Sequence, residues 1–596
     1  MKGQKFIPLL VIAAGLLAYH NSFTGPFIYD DLPSILTNLS IRHLWPIWHA
    51  LSPPHEGGIT VEGRPLVNLS LAVNYAFGGY NVWGYHVVNL AIHLLAGLTL
   101  LGVVRRTLLR PVLRERFGAA ANELAVATAV LWTVHPLQTE SVTYVVQRAE
   151  SIMGLCYLLT LYCFIRGAES RRPGVWYGVS VVACGLGMAS KEVMVSAPLM
   201  VLLYDRTFLS GSFREAWRRR WPLYLGLAAG WILLGVLVAS WQLPATSANA
   251  QRLGLSWRQY LATEPGVILY YLRLSVWPHP LCLDYDGWPI AKTWMSVAPA
   301  GLVIAALLGA TAWAWKRNSP WGFLGAWFFL ILAPSSSVIP LDSPAYEHRM
   351  YLSLATVVVL CVLGIHAVVG RRDMAVVVVL AVGLGILTWQ RNHDYRSELA
   401  IWQDTVDKRP DNPRAHNGLG LALLDADRIQ EAIQHFEEAV RLDPDYAEPH
   451  CNLGSALRRL GRLPEATGQC EAALRIRPDY AEADNNLGNI LFQAGKVPEA
   501  IKRWQEALRI NPDLGEVHNN LAIALVQQGR LQEAVAQFQQ ALRIRPTDAE
   551  THYNLGFVLE QMGMIEDAIG HYRQALNINP HLVQAQDGLA RLRAVQ

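Results

Sequence analysis

Eleven apolar runs, each long enough to cross a hydrocarbon core of about 30 Å, occupy most of the first 390 residues. They are residues 5–20, 84–104, 122–139, 150–166, 174–190, 193–209, 221–241, 294–315, 320–335, 350–369 and 374–390. Because backbone groups in lipid must bond within their own segment, this region is expected to fold as a polytopic bundle of about 11 transmembrane helices. Charged residues make up only 16% of the chain, against about 25% in soluble proteins, which agrees with a membrane protein.

The charges between these runs predict an orientation. If the N-terminus is cytoplasmic, every cytoplasmic loop is basic, as membrane proteins favour; the cations are Lys2, Lys5, Arg105, Arg106, Arg110, Arg114, Arg116, Arg166, Arg171, Arg172, Arg206, Arg214, Arg218, Arg219, Arg220, Lys316, Arg317, Arg371 and Arg372. The first run is interpreted as a retained span and not a cleaved signal peptide. The apolar stretch 264–286 is short and carries Arg273, so it is expected to lie on the outer face as an amphipathic or re-entrant piece.

The remaining residues, 391–596, carry a 34-residue repeat. Leucine recurs at 419, 453, 487, 521, 555 and 589, and proline at 410, 444, 478, 512, 546 and 580. This period is typical of the tetratricopeptide repeat, in which helical hairpins stack into a superhelix. We therefore predict an all-α protein with three parts: a transmembrane domain at 1–390, a connecting helix at 391–410, and a superhelix of five repeats plus a capping helix at 411–596. With eleven crossings, the repeats lie outside the cytoplasm.

Four asparagines share one position of the repeat: Asn452, Asn486, Asn520 and Asn554. Side-chain amides in register can bind an extended peptide backbone, so these residues are candidates for binding an acceptor or partner protein. The alternative is that they are solvated or cap neighbouring helices.

An acidic pair follows the first run, in "FTGPFIYDDLPSILTNLS". Asp30 and Asp31 lie about ten residues beyond the predicted end of the helix, near the outer membrane surface. A carboxylate there can act as a general base for a hydroxyl acceptor. The alternative is a solvated loop or a helix N-cap.

Further polar residues lie at the expected outer ends of the spans, where they are costly unless they are paired or functional. The candidates are Arg64, His135, Glu140, Arg148, Lys191, Glu192, Glu347, His348 and Arg349. The cations among them run against the preference of positive residues for the cytoplasmic side, and at this depth they suit a lipid-linked phosphate. Mutual ion pairing is the structural alternative.

Several classes of function are excluded by missing patterns. The seven cysteines show no metal-binding spacing, and no metal site is predicted. The chain has no glycine-rich phosphate loop and no zinc-protease or hydrolase motif. The basic excess of the first part lies in loops between apolar runs, so it does not indicate nucleic-acid binding.

Five stretches together resemble the transmembrane and tetratricopeptide repeat-containing O-mannosyltransferase-like family, which has the GT-C glycosyltransferase fold. They are "FIYDDLPSILTN", "GRPLVNLSLAVNYAFGGYNVWGYHVVNLAIHLL", "HPLQTESVTYVVQRAE", "SKE" and "EHRMYLSL". The resemblance implies inverting transfer of mannose or another hexose from a polyprenyl-phosphate donor to a protein Ser or Thr hydroxyl. The departure lies in "EHRMYLSL", where relatives more often read like "ERYLYLP", so His348 has no assigned role.

The resemblance also implies roles for particular residues. Asp30 or Asp31 is the implied base, while Arg148, Lys191 and Arg349 are candidates for the donor phosphate. No cofactor is required, although a divalent metal is not excluded. The excess of Arg, 42 against 8 Lys, favours a bacterial member in the inner membrane, with periplasmic repeats that bind the acceptor.

Two other functions fit parts of the sequence. One is a non-catalytic membrane-anchored repeat scaffold for envelope assembly, although eleven spans exceed what a tether needs. The other is a transferase that modifies a lipid or a glycan, such as an O-antigen ligase. Enzymes of that kind usually carry their large functional loop late in the membrane region, whereas the acids here appear in the first loop.

Overall fold

The structure, a computed structural model, describes residues 7–53, 60–240, 254–336, 340 and 343–595. All regular secondary structure in these ranges is helical. They form two compact units that divide after Ala415. Lys2 and Lys5, on which part of the predicted orientation depends, lie outside the described residues.

Most α-helices of the first unit lie in the apolar runs, and the others lie in the connections between the runs. They are Ile7–Tyr19, Ile47–Leu51, Pro65–Gly78, Val82–Leu108, Pro111–Phe117, Ala121–Thr133, Thr139–Thr143, Arg148–Glu169, Pro173–Met188, Ala197–Asp205, Phe213–Ser240, Trp257–Val276, Trp294–Lys316, Pro320–Leu332, Met350–Val369, Asp373–Asp394 and Glu398–Lys408. Short 3-10 or π turns cover Leu32–Leu36, Leu39–Ile41, Gly118–Ala120, Pro136–Gln138, Val145–Gln147, Glu192–Ser196, Arg206–Ser210, Glu347–Arg349 and Gly370–Arg372.

Seven helical segments within the described ranges are long and apolar enough to cross a membrane: Val82–Leu108, Val145–Glu169, Glu192–Ser210, Phe213–Ser240, Met295–Lys316, Glu347–Val369 and Asp373–Asp394. The pair Pro111–Thr133 and Pro136–Thr143, bent by 55°, makes an eighth if it is one broken span. Three shorter apolar helices, Ile7–Tyr19, Pro173–Met188 and Pro320–Leu332, match the other predicted runs. Within the described residues the eleven runs are therefore apolar helices, of which seven reach spanning length, or eight if the bent pair is one span.

The stretch 264–286 does not add a span. Its first part belongs to the helix Trp257–Val276, which is not among the spanning candidates, and a loop follows. Large apolar side chains on the spanning helices face outward, as lipid contact requires; Leu302, Val379 and Ile232 are each more than 70% exposed.

The bundle has two chemically different ends. One end carries Asp30, Lys191 and Glu347–Arg349, and we call it the Asp30 end. The other, the arginine end, carries the ion pairs of Arg106 and Arg110 with Glu169. A cavity of about 250 Å³ opens among apolar side chains toward the arginine end, and none of the candidate site residues lines it.

The second unit consists of stacked helical hairpins, with the first hairpin beginning just before the division. The five hairpins and the terminal helix are Pro413–Asp425 with Ile429–Leu442, Ala447–Arg459 with Leu463–Ile476, Ala481–Gln493 with Val497–Ile510, Gly515–Gln527 with Leu531–Ile544, Ala549–Gln561 with Ile565–Ile578, and Val583–Val595. This is the predicted number of repeats. The helix before them is Glu398–Lys408, which belongs to the first unit.

In four of the five hairpins a glycine of the first helix meets a side chain of the second helix, and Ala522 takes this position in the fourth. A Cβ atom on Gly488 would lie 2.6 Å from Nε1 of Trp504, and one on Gly420 would lie 2.5 Å from Cε1 of Phe436. The repeating glycine is therefore needed for close helix packing and not for backbone conformation.

We expect Gly488→Ala to lower the free energy of unfolding of the repeats by about 1–3 kcal/mol, because the added methyl overpacks the hairpin. Gly468→Ala is the matched control, since this helical glycine has open space around its Cβ position, and it should be neutral or stabilising by up to about 1 kcal/mol. Urea unfolding of residues 413–596, followed by circular dichroism, measures both. Equal effects of the two substitutions would contradict the packing argument.

Candidate active site

The two acids of the first loop have different environments. Asp31 is fully buried, and both carboxylate oxygens accept backbone hydrogen bonds, from Ile28 (3.1 Å) and from Val146 (2.7 Å). Burial raises the pKa of Asp31 to about 8, against the opposing effect of these bonds. A carboxyl group that holds two backbone segments together and favours its protonated form is poorly suited to accept a proton from a substrate.

Asp30 is partly exposed. Its backbone N–H donates to the hydroxyl oxygen of Tyr144 (2.8 Å), and its Oδ2 accepts from the Thr60 hydroxyl (3.3 Å). The side chain is thus held at the surface of the Asp30 end, where a hydroxyl-bearing substrate can reach it.

From Asp30, a chain of contacts leads to the lysine and acid of the "SKE" turn. Arg64 donates to the carbonyl oxygen of Thr60 (2.9 Å) and to Oε2 of Glu192 (3.3 Å). The neighbouring Lys191 forms a buried ion pair with Glu150, with Nζ and Oε2 separated by 2.6 Å. Arg64 and Lys191 therefore place two positive charges beside the first loop, each with a carboxylate partner.

The "EHR" turn lies against the same group of charges. Nδ1 of His348 lies 2.7 Å from Oε1 of Glu140, and the backbone N–H of His348 donates to Oε2 (2.8 Å). The imidazole stacks on Tyr346, with ring centroids 5.1 Å apart. Lys191, Glu150 and Arg64 are all close enough to act on it electrostatically.

Arg349 differs from Arg64 and Lys191 because its hydrogen-bond partners are neutral. Its guanidinium donates to the carbonyl oxygens of Ser343 (2.8 Å) and Pro344 (2.6 Å) and to the Tyr260 hydroxyl (3.3 Å). Within the described ranges no carboxylate forms an ion pair with it. Glu264 lies nearby, and burial raises the pKa of that carboxyl to about 7, with the charge of Arg349 opposing the rise. Arg349 thus keeps a positive charge that an anionic ligand can neutralise.

Glu347 faces a different neighbour, the loop after the helix Trp257–Val276. Its Oε1 accepts from the backbone N–H of Cys282 (2.6 Å) and from the Tyr285 hydroxyl (2.7 Å). The next residues of that loop bond to the end of the unit, where Asp284 accepts from Asn412 (3.0 Å) and Arg414 (2.8 Å). Glu347 therefore anchors the "EHR" turn to this loop through Oε1.

The charge of Arg414 reaches both the first loop and the residues beside the "EHR" turn. Its charge acts on both Tyr29, which precedes Asp30, and Tyr346, which stacks on His348. The first loop, the "SKE" turn and the "EHR" turn therefore surround one polar region at the Asp30 end. This region combines an accessible carboxylate with three cations, the groups needed for proton removal and for phosphate binding.

Two candidates serve the packing of the bundle in this structure. Arg148 is fully buried and donates to the side-chain oxygens of Asn89 (2.5 Å) and Asn74 (2.6 Å) and to the Tyr85 carbonyl (2.9 Å). His135 is buried, and its Nδ1 accepts from the backbone N–H of Leu137 (3.2 Å) in the break of the bent pair. Their predicted roles stay predictions, but their hydrogen bonds favour structural ones.

The four asparagines of the repeats lie in the second unit and bridge successive hairpins. Three donate to another asparagine or a cysteine one repeat earlier: Asn452 to Asn417, Asn486 to Cys451, and Asn554 to Asn519. Asn520 donates to Asn489. Each keeps an amide oxygen at a half-buried surface, and their binding of a partner stays a prediction.

Sequence reasoning missed several residues of this region: Thr60, Tyr144, Glu264 and Arg414. The pairing of Lys191 with Glu150 was not predicted either. Glu264 carried a usable signal, because it is an isolated acid at the start of an apolar stretch. No cluster of three or more possible metal ligands is found among the described residues.

Known families match the helical part of the chain and the repeats through different family models. The family model described as dolichyl-phosphate-mannose-protein mannosyltransferase matches residues 74–241. That range includes Glu140, Glu150 and Lys191 but not Asp30 or Arg349. Models of the tetratricopeptide repeat match residues 423–461, 488–529 and 523–563, with further matches at 451–477 and 549–582.

Curated relatives extend the similarity. The protein O-mannosyl-transferase Tmtc2 of Drosophila melanogaster is 29% identical over 333 residues, covering 52% of this chain and 34% of that protein. Tmtc3 of the same organism is 23% identical over 520 residues, covering 73% of this chain and 55% of that protein. The chain thus spans about a third to just over half of the length of these relatives. Among solved structures, the tetratricopeptide repeat protein YrrB is 21% identical, with a TM-score of 0.27, covering 31% of this chain and 96% of that one.

The fold and these matches define a multi-pass membrane protein that combines a mannosyltransferase-related helical region with tetratricopeptide repeats. Together, the family models and the relatives support membership of the TMTC-like family.

Proposed function

We propose that this protein is an inverting membrane mannosyltransferase. It transfers mannose from a polyprenyl-phosphate donor to a Ser or Thr hydroxyl of a protein. The observation that supports this most strongly is the polar region at the Asp30 end, where an accessible carboxylate lies in the same group of contacts as Arg64, Lys191 and Arg349. The names of the relatives supply the sugar and the class of acceptor.

In this proposal Asp30 accepts the proton of the acceptor hydroxyl as the oxygen attacks the anomeric carbon. Arg349, Lys191 and Arg64 stabilise the negative charge on the departing phosphate. Arg349 contributes most, because no carboxylate among the described residues forms an ion pair with it. No metal ion is required, since the three cations supply the positive charge.

We further propose that the Asp30 end and the repeats lie on the side of the membrane away from the cytoplasm. The arginine end then faces the cytoplasm, as the distribution of cations favours. A lipid-linked donor reaches the Asp30 end from the surrounding bilayer, and the repeats bind the protein acceptor.

The test is transfer of radiolabelled mannose by the purified protein in nanodiscs. Polyprenyl-phosphate mannose is the donor, and a Ser- and Thr-rich extracytoplasmic protein from the same cells is the acceptor. We expect acid-stable, α-mannosidase-sensitive label on protein. Arg349→Gln should raise the KM for the donor at least tenfold. Absence of labelled protein with every acceptor fraction, although the donor binds, would exclude the function.

A further inference from the structure

The Glu140–His348 pair is not used by the proposed reaction. Both oxygens of Glu140 bind His348, one at Nδ1 and one at the backbone N–H. Stacking on Tyr346 fixes the plane of the imidazole. A carboxylate that holds one ring nitrogen in this way determines which edge of the ring is available for proton transfer.

The available edge is Nε2. His348 keeps 6% of its surface exposed, and no hydrogen-bond partner of Nε2 occurs in the part of the chain that the structure describes. Nε2 is also not among the fully enclosed polar atoms without a partner, so it keeps some accessible surface. An imidazole whose Nδ1 is hydrogen-bonded to a carboxylate and whose Nε2 is accessible is suited to exchange a proton with a ligand through Nε2.

Charged groups of both signs surround His348, and the cations outnumber the carboxylates. Glu140 and Glu150 favour a proton on the imidazole, whereas Lys191, Arg349 and Arg64 oppose it. A donor phosphate brings negative charge to these three cations and so shifts the balance toward the imidazolium. Arrival of the donor should therefore load a proton onto His348.

We propose that His348 is the catalytic acid that protonates the departing phosphate from Nε2, and that Glu140 is its positioning residue. This inference rests on the proposed function. As the bond between the anomeric carbon and the phosphate oxygen breaks, its electron pair stays on that oxygen, which takes the Nε2 proton. The acceptor oxygen bonds to the carbon and loses its proton to Asp30. Solvent then removes the proton from Asp30 and returns one to His348.

The first test measures proton uptake and needs no turnover. A short-chain polyprenyl monophosphate is titrated into the nanodisc-embedded full chain by calorimetry, in two buffers of different ionisation enthalpy. We expect up to one more proton taken up per site by the wild type than by His348→Gln, with the dissociation constant changed by less than threefold. Equal uptake would overturn the proposal, and so would loss of binding as the main effect.

The second test follows the pH profile of turnover. His348→Gln should lower kcat by about 10²- to 10³-fold and remove the alkaline limb of the profile. Glu140→Gln, which keeps the side-chain size, should move that limb to lower pH by about one unit, because the imidazolium loses its carboxylate. If His348→Gln fails to fold, the shift of the alkaline limb in Glu140→Gln still tests the proposal. An unshifted limb in folded Glu140→Gln would refute the role of His348 as the acid.

The chain contains a matched control. His366 forms a similar pair with Asp373, Nδ1 to Oδ2 at 2.6 Å, toward the other end of the same helix. His366→Gln should leave both proton uptake and the alkaline limb as in the wild type. Failure of the proposed function itself would appear differently, as absence of transfer by the wild type while His348-dependent proton uptake persists.

Discussion

If the proposed function holds, replacing Asp30 with Asn should lower mannosyl transfer by about 10²- to 10⁴-fold, the contribution expected of a general base, while the protein stays folded. An amide keeps the shape of the side chain and the hydrogen bond to Thr60 but cannot take up a proton. Because the side chain is partly exposed and its backbone contact to Tyr144 is unchanged, stability should change little. Transfer rates and thermal unfolding of the same nanodisc preparation measure both properties.

Asp31→Asn is the control, and it should have the opposite profile. In the wild type, the two carboxylate oxygens accept hydrogen bonds from two backbone N–H groups. The amide of the variant turns an N–H donor toward one of these groups, and the lost hydrogen bond costs about 1–3 kcal/mol. We therefore expect a lower melting temperature, with residual activity in the molecules that remain folded. A wild-type rate in Asp30→Asn, together with an inactive but equally stable Asp31→Asn, would reverse the assignment of the base.

Ending the chain after Ala415 should abolish transfer to the protein acceptor while leaving donor binding intact. The first unit keeps all of its described residues in this variant, including Arg414 and its bond to Asp284. It loses the repeats and with them the effective concentration of a tethered acceptor, a factor of about 10²–10⁴. Transfer to the full-length acceptor protein and binding of polyprenyl monophosphate are measured in parallel.

A second truncation, after Asp411, separates presentation from stability. It removes Asn412 and Arg414, so the buried carboxylate of Asp284 loses its two side-chain partners among the described residues and keeps only the backbone N–H of Asp286. We expect this shorter chain to be less stable and to bind the donor more weakly than the one ending at Ala415. Unchanged transfer to the native acceptor after either truncation would refute the presenting role of the repeats.

The sequence predicts the repeats and the apolar helices well, because both depend on local periodicity. The 34-residue spacing of Leu453 and Leu487 fixes a hairpin regardless of the rest of the chain. Run length alone was less reliable for the spans, since helices such as Pro320–Leu332 are shorter than the apolar run that contains them.

The candidate site could be predicted only as a set of residues, not as an arrangement. Which acid of "YDD" is buried depends on Val146, 115 residues away. The partner of Lys191 is Glu150, 41 residues earlier, and not the adjacent Glu192. Arg148 looked like a phosphate ligand by its charge, but its neutral partners Asn74 and Asn89 come from two other helices. Such pairings arise from helix packing, which periodicity does not encode.

The loop that holds Glu347 has a consequence for biosynthesis. Asp284 leaves the ribosome 130 residues before its partner Arg414, a delay of roughly 6–26 s at 5–20 residues per second. During that interval the membrane helices insert, and Asp284 has no ion-pair partner in Arg414. The nascent protein therefore forms the contact between Asp284 and Arg414 only after its translation has passed the last hydrophobic segment.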